Sequence, residues 1–106
     1  MRAGRLRHRV TLLRPEISRD ALGTPQTTWI DAGAVWAGVE PLRGREFHAA
    51  RQEYSDVAVR VVIRYRAGIG ADWRVDYDGR VLELVAPPIN PDERNRELQL
   101  MCRILA

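Results

Sequence analysis

The sequence contains no lysine, a single cysteine and two histidines. All 17 basic residues are arginine, and 14 acidic residues oppose them, so the net charge is +3 and the isoelectric point is about 9.7. One cysteine, Cys102, excludes a disulfide framework within the chain. With only His8 and His48 beside it, a structural zinc site is not expected, and no cofactor is predicted. An all-arginine basic set suits paired, planar contacts with carboxylates, and it is also typical of a GC-rich genome.

Long apolar runs and catalytic motifs are missing as well. No window approaches 18 consecutive apolar residues, and the basic start is not followed by the apolar stretch of a signal peptide. We therefore expect a protein made in the cytoplasm, with no membrane partner. The two serines, Ser18 and Ser55, lie outside any Gly-x-Ser-x-Gly motif, and no pair of carboxylates has catalytic spacing. The chain is not predicted to be an enzyme.

What the sequence does contain is alternation of apolar and polar residues with a period of two, which predicts half-buried strands. In residues 57–66 one face carries Val57, Val59, Val61, Ile63 and Tyr65. The other face carries Ala58, Arg60, Val62, Arg64 and Arg66. The same alternation covers residues 97–104, and a first strand is predicted over residues 7–14.

Turn signals separate these strands. Asp78 and Gly79 predict a two-residue hairpin, because this pair favours the positive φ angles of a type I′ turn. Residues 19–25 predict a longer turn into a second strand over residues 26–39, where Gly33 indicates a bulge or a close backbone approach. The proline-rich residues 86–94 are predicted to form a loop. The fold class is therefore all-β: a small antiparallel barrel or sandwich of five to seven strands with long loops.

One segment departs from the β pattern. Phe47, Ala50 and Tyr54 recur at helical spacing, which predicts a short helix over residues 44–54, within a helix and loop segment (residues 41–55) inserted between two strands. A helix this short needs docking to persist. The whole chain, residues 1–106, is expected to be a single domain, with residues 1–6 as a flexible lead.

The arginines raise the alternative of a small basic nucleic-acid-binding barrel. Such proteins place aromatic rings among their basic residues. Here Tyr65 is predicted on the opposite strand face from Arg60, Arg64 and Arg66, and acidic residues lower the net charge to +3. Interspersed arginines and acids favour contacts between protein subunits, and a head-to-tail ring would use complementary charge on opposite edges of each subunit.

Six segments, taken in order, carry a resemblance to one family. They are the basic lead into the first strand (residues 1–12), the polar hairpin ending in Trp (19–29), the Val-Trp-Ala-Gly-Val-Glu-Pro-Leu-Arg-Gly-Arg-Glu stretch (35–46), the strand ending in Arg-Tyr-Arg (61–66), the second hairpin (78–83) and the last loop (91–94). Together they resemble the head–tail joining proteins, also called head-closure or stopper proteins, of tailed bacteriophages, prophages and gene-transfer particles.

The resemblance implies a non-enzymatic virion protein of the phage neck, assembled in the host cytoplasm. It implies a homo-oligomeric ring below the portal and adaptor and above the tail proteins, six- or twelve-fold, which closes the channel through which packaged DNA passes. A minor tail-completion role differs mainly in location and stays open.

The family's gating loops suggest, by position, that residues 41–55 face the channel or a partner. The candidates there are Arg43, Gly44, Arg45, Glu46, Phe47 and Arg51. The alternative is that the segment covers an open end of the barrel, and both roles are compatible. The candidates for contacts between subunits are Arg5, Arg7, Arg9, Arg60, Arg64 and Arg66.

Overall fold

The computed structural model describes residues 6–54 and 56–105. The strands are β1 (His8–Arg19), β2 (Pro25–Pro41), β3 (Val59–Arg64), β4 (Arg74–Tyr77), β5 (Arg80–Leu84) and β6 (Glu97–Ile104). One helix, α1 (Gly44–Glu53), lies between β2 and β3, and a short 3-10 turn (Pro91–Glu93) precedes β6. The predicted all-β class, the strand number and the short helix are confirmed.

The six strands form a closed antiparallel barrel in the order β1-β2-β3-β6-β5-β4. Strand β4 closes it by returning to β1, where Leu12 lies opposite Val75. The barrel is filled by the alternate residues that point inward from each strand. Residues with at most 2% exposure in this core are Val10, Leu12, Ala37, Val61, Ile63, Val75, Leu82, Leu100 and Cys102.

Strands β1 and β2 extend well beyond the barrel. Strand β1 pairs with β4 only over Thr11–Leu13, and β2 pairs with β3 only from Ala37 onward. Residues 14–30 therefore form a two-stranded ribbon whose strands pair with each other alone; we call it the arm. The arm gives the molecule its elongated dimensions of 48 × 28 × 28 Å. The predicted end of the first strand at residue 14 was wrong, because apolar alternation stops where the strand leaves the core.

A bulge marks the point where the arm joins the barrel. Ala32 and Gly33 on β2 lie opposite the single residue Leu12 on β1, since the register shifts there. Gly33 has φ +118°, and a Cβ on it would lie 3.1 Å from Nη1 of Arg66. Arg66 also donates from Nη2 to the carbonyl oxygen of Ala32 at 2.6 Å. The sequence predicted a bulge or a close approach at Gly33, and the structure contains both.

The end of β3 differs from its predicted pattern. Val62 was predicted on the polar face but is fully buried. Tyr65 was predicted on the apolar face but is 39% exposed, because β3 ends at Arg64 and the alternation no longer applies. The backbone N–H of Tyr65 donates instead to the carbonyl oxygen of Arg96 at 3.0 Å. Tyr65 therefore lies on the outer surface beside the neighbouring arginines.

The predicted second hairpin is confirmed. Asp78 and Gly79 join β4 to β5 with φ angles of +52° and +80°, as a tight turn between right-twisted strands requires. The proline-rich segment that follows is a loop, tied to β6 by reciprocal backbone hydrogen bonds between Ile89 and Gln99. In the part of the chain that the structure describes, no helix is long and apolar enough to span a membrane.

Candidate partner-binding surfaces

Helix α1 is docked on the outside of the barrel by its apolar side. Its half-buried residues Phe47 and Ala50, with Tyr54 just after it, pack against a small cluster of Leu42, Val57 and Met101. None of the residues of α1 is fully buried. The predicted helix and its predicted apolar positions are therefore confirmed, and the helix lies against the barrel rather than inside it.

An arginine of the barrel wall also holds the helix. Arg60 on β3 contacts Glu40 Oε1 through Nη1 at 3.3 Å and Glu46 Oε1 through Nη2 at 2.7 Å. Its side chain is only 19% exposed, so both charge-assisted contacts lie in a partly desolvated setting. Arg60 therefore links β2, β3 and α1 within one chain.

The outer side of α1 is basic. Arg43, Arg45 and Arg51 are exposed, and the guanidinium carbon of Arg51 lies 5.3 Å from the centre of the Phe47 ring. The helix begins at Gly44 with φ +57°, a left-handed conformation that glycine adopts without strain. The segment thus presents three arginines outward from a helix fixed on its other side.

A second basic surface lies across β1, β2 and the end of β3. It is a groove of about 390 Å³ lined by Arg9, Val35, Trp36, Arg64, Tyr65 and Arg66, which we call the cationic–aromatic groove. Trp36 is 53% exposed. The guanidinium carbon of Arg9 lies 5.3 Å from its ring centre, within range for a cation–π contact.

An acidic surface lies near the end of α1, across β5 and β6. It is a pocket of about 400 Å³ lined by Glu53, Tyr54, Asp56, Glu83, Leu84, Val85 and Arg103, which we call the acidic pocket. Arg103 donates to Asp56 at 3.2 Å and to Glu83 at 3.3 Å. The hydrogen bonds to Glu83 are the main cause that raises the pKa of the Arg103 guanidinium. Two carboxylates therefore contact the one cation, and a third, Glu53, lines the same pocket.

The residues and their order along the chain match a known family. A family model for phage head completion proteins matches residues 1–105. The chain belongs to this family. It is 32% identical over 108 aligned residues to head completion protein gp7 of Enterobacteria phage HK97, an alignment that covers 97% of this chain and 96% of that protein. The resemblance to phage head–tail joining proteins is confirmed.

Solved structures share the fold. The solution structure of protein SF1141 from Shigella flexneri 2a superposes with a TM-score of 0.84 at 33% identity, over 100% of this chain and 98% of that one. A chain in the virion of a native gene transfer agent particle superposes with a TM-score of 0.66 at 19% identity, over 95% and 96% of the two chains. The second likeness shows a shared fold alone.

The arginines predicted to make subunit contacts lie in different parts of this head completion protein. Arg9, Arg64 and Arg66 meet in the cationic–aromatic groove. Arg60 lies at the helix, and Arg7 is exposed just before β1. Arg5 lies outside the described residues.

Two aromatic residues of this head completion protein's groove were missed by sequence reasoning. Trp36 has the same strand parity on β2 as Glu40, which marks an outward position, so its exposure had a signal in the sequence. For Tyr65 the sequence signal was misleading, because the residue continues the apolar alternation of β3 past the end of the strand. The acidic pocket was missed because β5, β6 and the end of α1 meet only in the folded chain.

Among residues 6–54 and 56–105, no group of three or more His, Cys, Asp or Glu side chains is arranged to hold a metal ion. Cys102 is fully buried in the barrel, and burial raises the pKa of its thiol to about 12. The thiolate, which is the reactive form, is therefore scarce at neutral pH.

Proposed function

We propose that this chain is a structural protein of the phage neck, one subunit of a ring that completes the DNA-filled head and joins it to the tail. The single observation that carries this proposal is the match of the family model to residues 1–105. Packaged DNA passes through the ring, the portal and adaptor lie on its head side, and tail proteins attach on the other. The ring is non-enzymatic and assembles from subunits made in the host cytoplasm.

Helix α1 and its flanks are the element that faces the channel or a partner. Support comes from the asymmetry of the segment: Phe47 and Glu46 are held against the barrel, whereas Arg43, Arg45 and Arg51 point outward. A docked helix keeps these charges at fixed positions, and arginine forms paired contacts with carboxylates and phosphates. The same docking also covers the apolar cluster beneath the helix.

The test is complementation of a phage that lacks its own copy of this gene. A variant with Arg43, Arg45 and Arg51 changed to Gln should fold normally but yield heads that leak DNA or lack tails. Changing the arm arginines Arg14 and Arg19 to Gln is the matched control and should yield tailed particles. Tailed, infectious particles from the first variant would remove α1 from the proposal.

Location separates the head role from a tail-completion role. DNA-filled heads purified from a tail-deficient infection should carry the chain, as detected by mass spectrometry of the separated particles. Finding the chain on free tails and not on such heads would assign it to tail completion instead. This measurement does not depend on which surface makes the contacts.

A further inference from the structure

We propose that the cationic–aromatic groove binds the acidic pocket of a second copy of this chain, making a head-to-tail contact between neighbouring subunits. This inference rests on the proposed ring and names the two faces that would build it. The groove supplies guanidinium groups and aromatic rings from Arg9, Arg64, Trp36 and Tyr65.

The positive charges of the groove are not balanced by carboxylates of residues 6–54 and 56–105. Among the described residues, Arg9, Arg64 and Arg66 form no ion pair with a carboxylate. The guanidinium of Arg66 donates to the carbonyl oxygen of Ala32 and lies 5.9 Å from the centre of the Trp73 ring, so both contacts hold it at one wall of the groove. Exposed tryptophan, tyrosine and arginine side chains are the types enriched at the centres of protein interfaces.

The acidic pocket has an excess of negative charge, which complements the positive charge of the groove. Glu53, Asp56 and Glu83 bring three negative charges to a pocket that holds one cation, Arg103. The Asp56 side chain is 58% exposed, so one side of its carboxylate is open to a further guanidinium group. At about 400 Å³ the pocket has room for an arginine end group to enter. Pairing across such a contact would desolvate both sets of charges together.

The positions of the two surfaces suit a ring. In the barrel order, β2 is separated from β5 by three steps in either direction, so the strand at the centre of the groove lies opposite a strand of the pocket. A contact between two different patches is heterologous, and repeating it closes a ring when the rotation between neighbouring subunits divides a full turn. A symmetric dimer that joined groove to groove would instead bring like charges together.

A nucleic acid strand is the competing occupant of the groove. Trp36 and Tyr65 beside three arginines resemble a stacking platform for single strands. That reading leaves the excess negative charge of the acidic pocket without a partner, whereas a second copy satisfies both surfaces. The observations therefore favour the second copy, and nucleic acid binding becomes an outcome of the test.

The first experiment uses two charge-reversed full-length variants. One carries Arg9→Glu and Arg64→Glu in the groove, and the other carries Glu53→Arg and Asp56→Arg in the pocket. We expect each variant alone to self-associate at least tenfold more weakly than the wild type in sedimentation velocity. An equimolar mixture should regain association, because each contact between unlike variants joins either the two native surfaces or the two reversed ones. Where the wild type associates in solution, a mixture that associates no better than either variant alone would overturn the proposal; where it does not, the second experiment decides.

The second experiment works on assembled particles and does not require self-association in solution. A chain with Arg64→Cys and Asp56→Cys, treated with a short bismaleimide, should give a ladder of cross-linked multimers. Buried Cys102 does not contribute, so single-cysteine variants and the pair Ser18→Cys with Asp56→Cys are the matched controls. A neck that contains several copies but gives no ladder would overturn this interface and leave the ring intact.

Two further outcomes can be distinguished from failure of this interface. A neck with one copy of the chain, counted by quantitative mass spectrometry, would overturn the proposed ring itself. Tight, salt-sensitive binding of a fluorescent single-stranded oligonucleotide, lost in the Arg9→Glu, Arg64→Glu variant and accompanied by no ladder, would assign the groove to nucleic acid.

Discussion

Strands β1 and β2 run through two regions of the molecule, the barrel and the arm, whose stability has different sources. In the barrel, Val10 and Leu12 of β1 are 1% exposed and face a filled core. In the arm, Ile17 is 71% exposed and Leu22 at the turn is 90% exposed. A two-stranded ribbon alone is marginally stable in water. The same strands thus pass from a region held by burial to one held by backbone hydrogen bonds and a turn.

Side-chain contacts reinforce the arm at its two ends. At its base the guanidinium carbon of Arg74 lies 4.0 Å from the centre of the Trp29 ring. At its tip, Asp20 Oδ1 accepts hydrogen bonds from the backbone N–H groups of Leu22 and Thr24, both at 2.9 Å. This arrangement is an Asx turn, in which a side chain takes the place of a backbone acceptor. Between the ends, pairing of the two strands is the principal constraint.

The largest expected difference comes from truncating an apolar side chain in each region. Leu100→Ala in the barrel should lower the free energy of unfolding by about 2–5 kcal/mol, because Leu100 is fully buried. Leu22→Ala on the arm should change it by less than about 0.5 kcal/mol. Urea denaturation followed by tryptophan fluorescence measures both. Equal losses of unfolding free energy would contradict the distinction, because they would mean that Leu22 contributes as much to stability as a buried core residue.

The next largest difference is expected between glycine substitutions at the base of the arm, Gly33, and at its tip, Gly23, measured as loss of unfolding free energy. Gly33→Ala places a side chain at φ +118° against Arg66 and should cost about 1–3 kcal/mol of stability. Gly23 has φ +82° but open space around it. Because strain at the tip is relieved by local opening of the arm, Gly23→Ala should cost less in the same denaturation assay. A smaller loss at Gly33 than at Gly23 would contradict the role of the bulge.

Ion pairs in the two regions offer a third contrast. Arg60→Met removes the contacts to Glu40 and Glu46 and should cost about 1–2 kcal/mol, because they are partly buried. Arg14→Met removes an arm pair, with Glu16 at 3.7 Å, that is roughly half exposed on both sides. Its expected cost is about 0–1 kcal/mol. Thermal unfolding by circular dichroism compares the two, and a larger loss for Arg14 would refute the distinction.

The smallest effect on stability is expected from shortening the arm itself. Replacing residues 17–27 with Asn-Gly joins Glu16 directly to its register partner Thr28 through a two-residue turn. The midpoint of thermal unfolding should stay within a few degrees of the wild type, since the barrel core is untouched. A collapse of the folded state would show that the arm is part of the folding unit.

Local sequence patterns predicted the elements whose formation depends on residues close together in the chain. The turn at Asp78 and Gly79, the helix positions Phe47 and Ala50 and the bulge at Gly33 each follow from residue chemistry within a few positions. The turn at the tip of the arm and its second strand were predicted, but the extension of β1 beyond residue 14 was not, because polar residues on both faces of a ribbon have no periodicity. The groove and the acidic pocket combine residues that lie far apart in the sequence on strands that pair in the folded chain, and no short window of sequence records that pairing.

Barrel closure has a consequence for how many copies can come together. Strands that pair all the way round leave no free edge in the barrel, so copies cannot add to one another by backbone pairing, the route to open-ended sheets. The arm does have two outer edges, and Pro15 and Pro25 each remove an N–H donor from them. These two prolines weaken the arm edges as templates for backbone pairing with another copy, so uncontrolled growth of a concentrated pool of subunits is disfavoured.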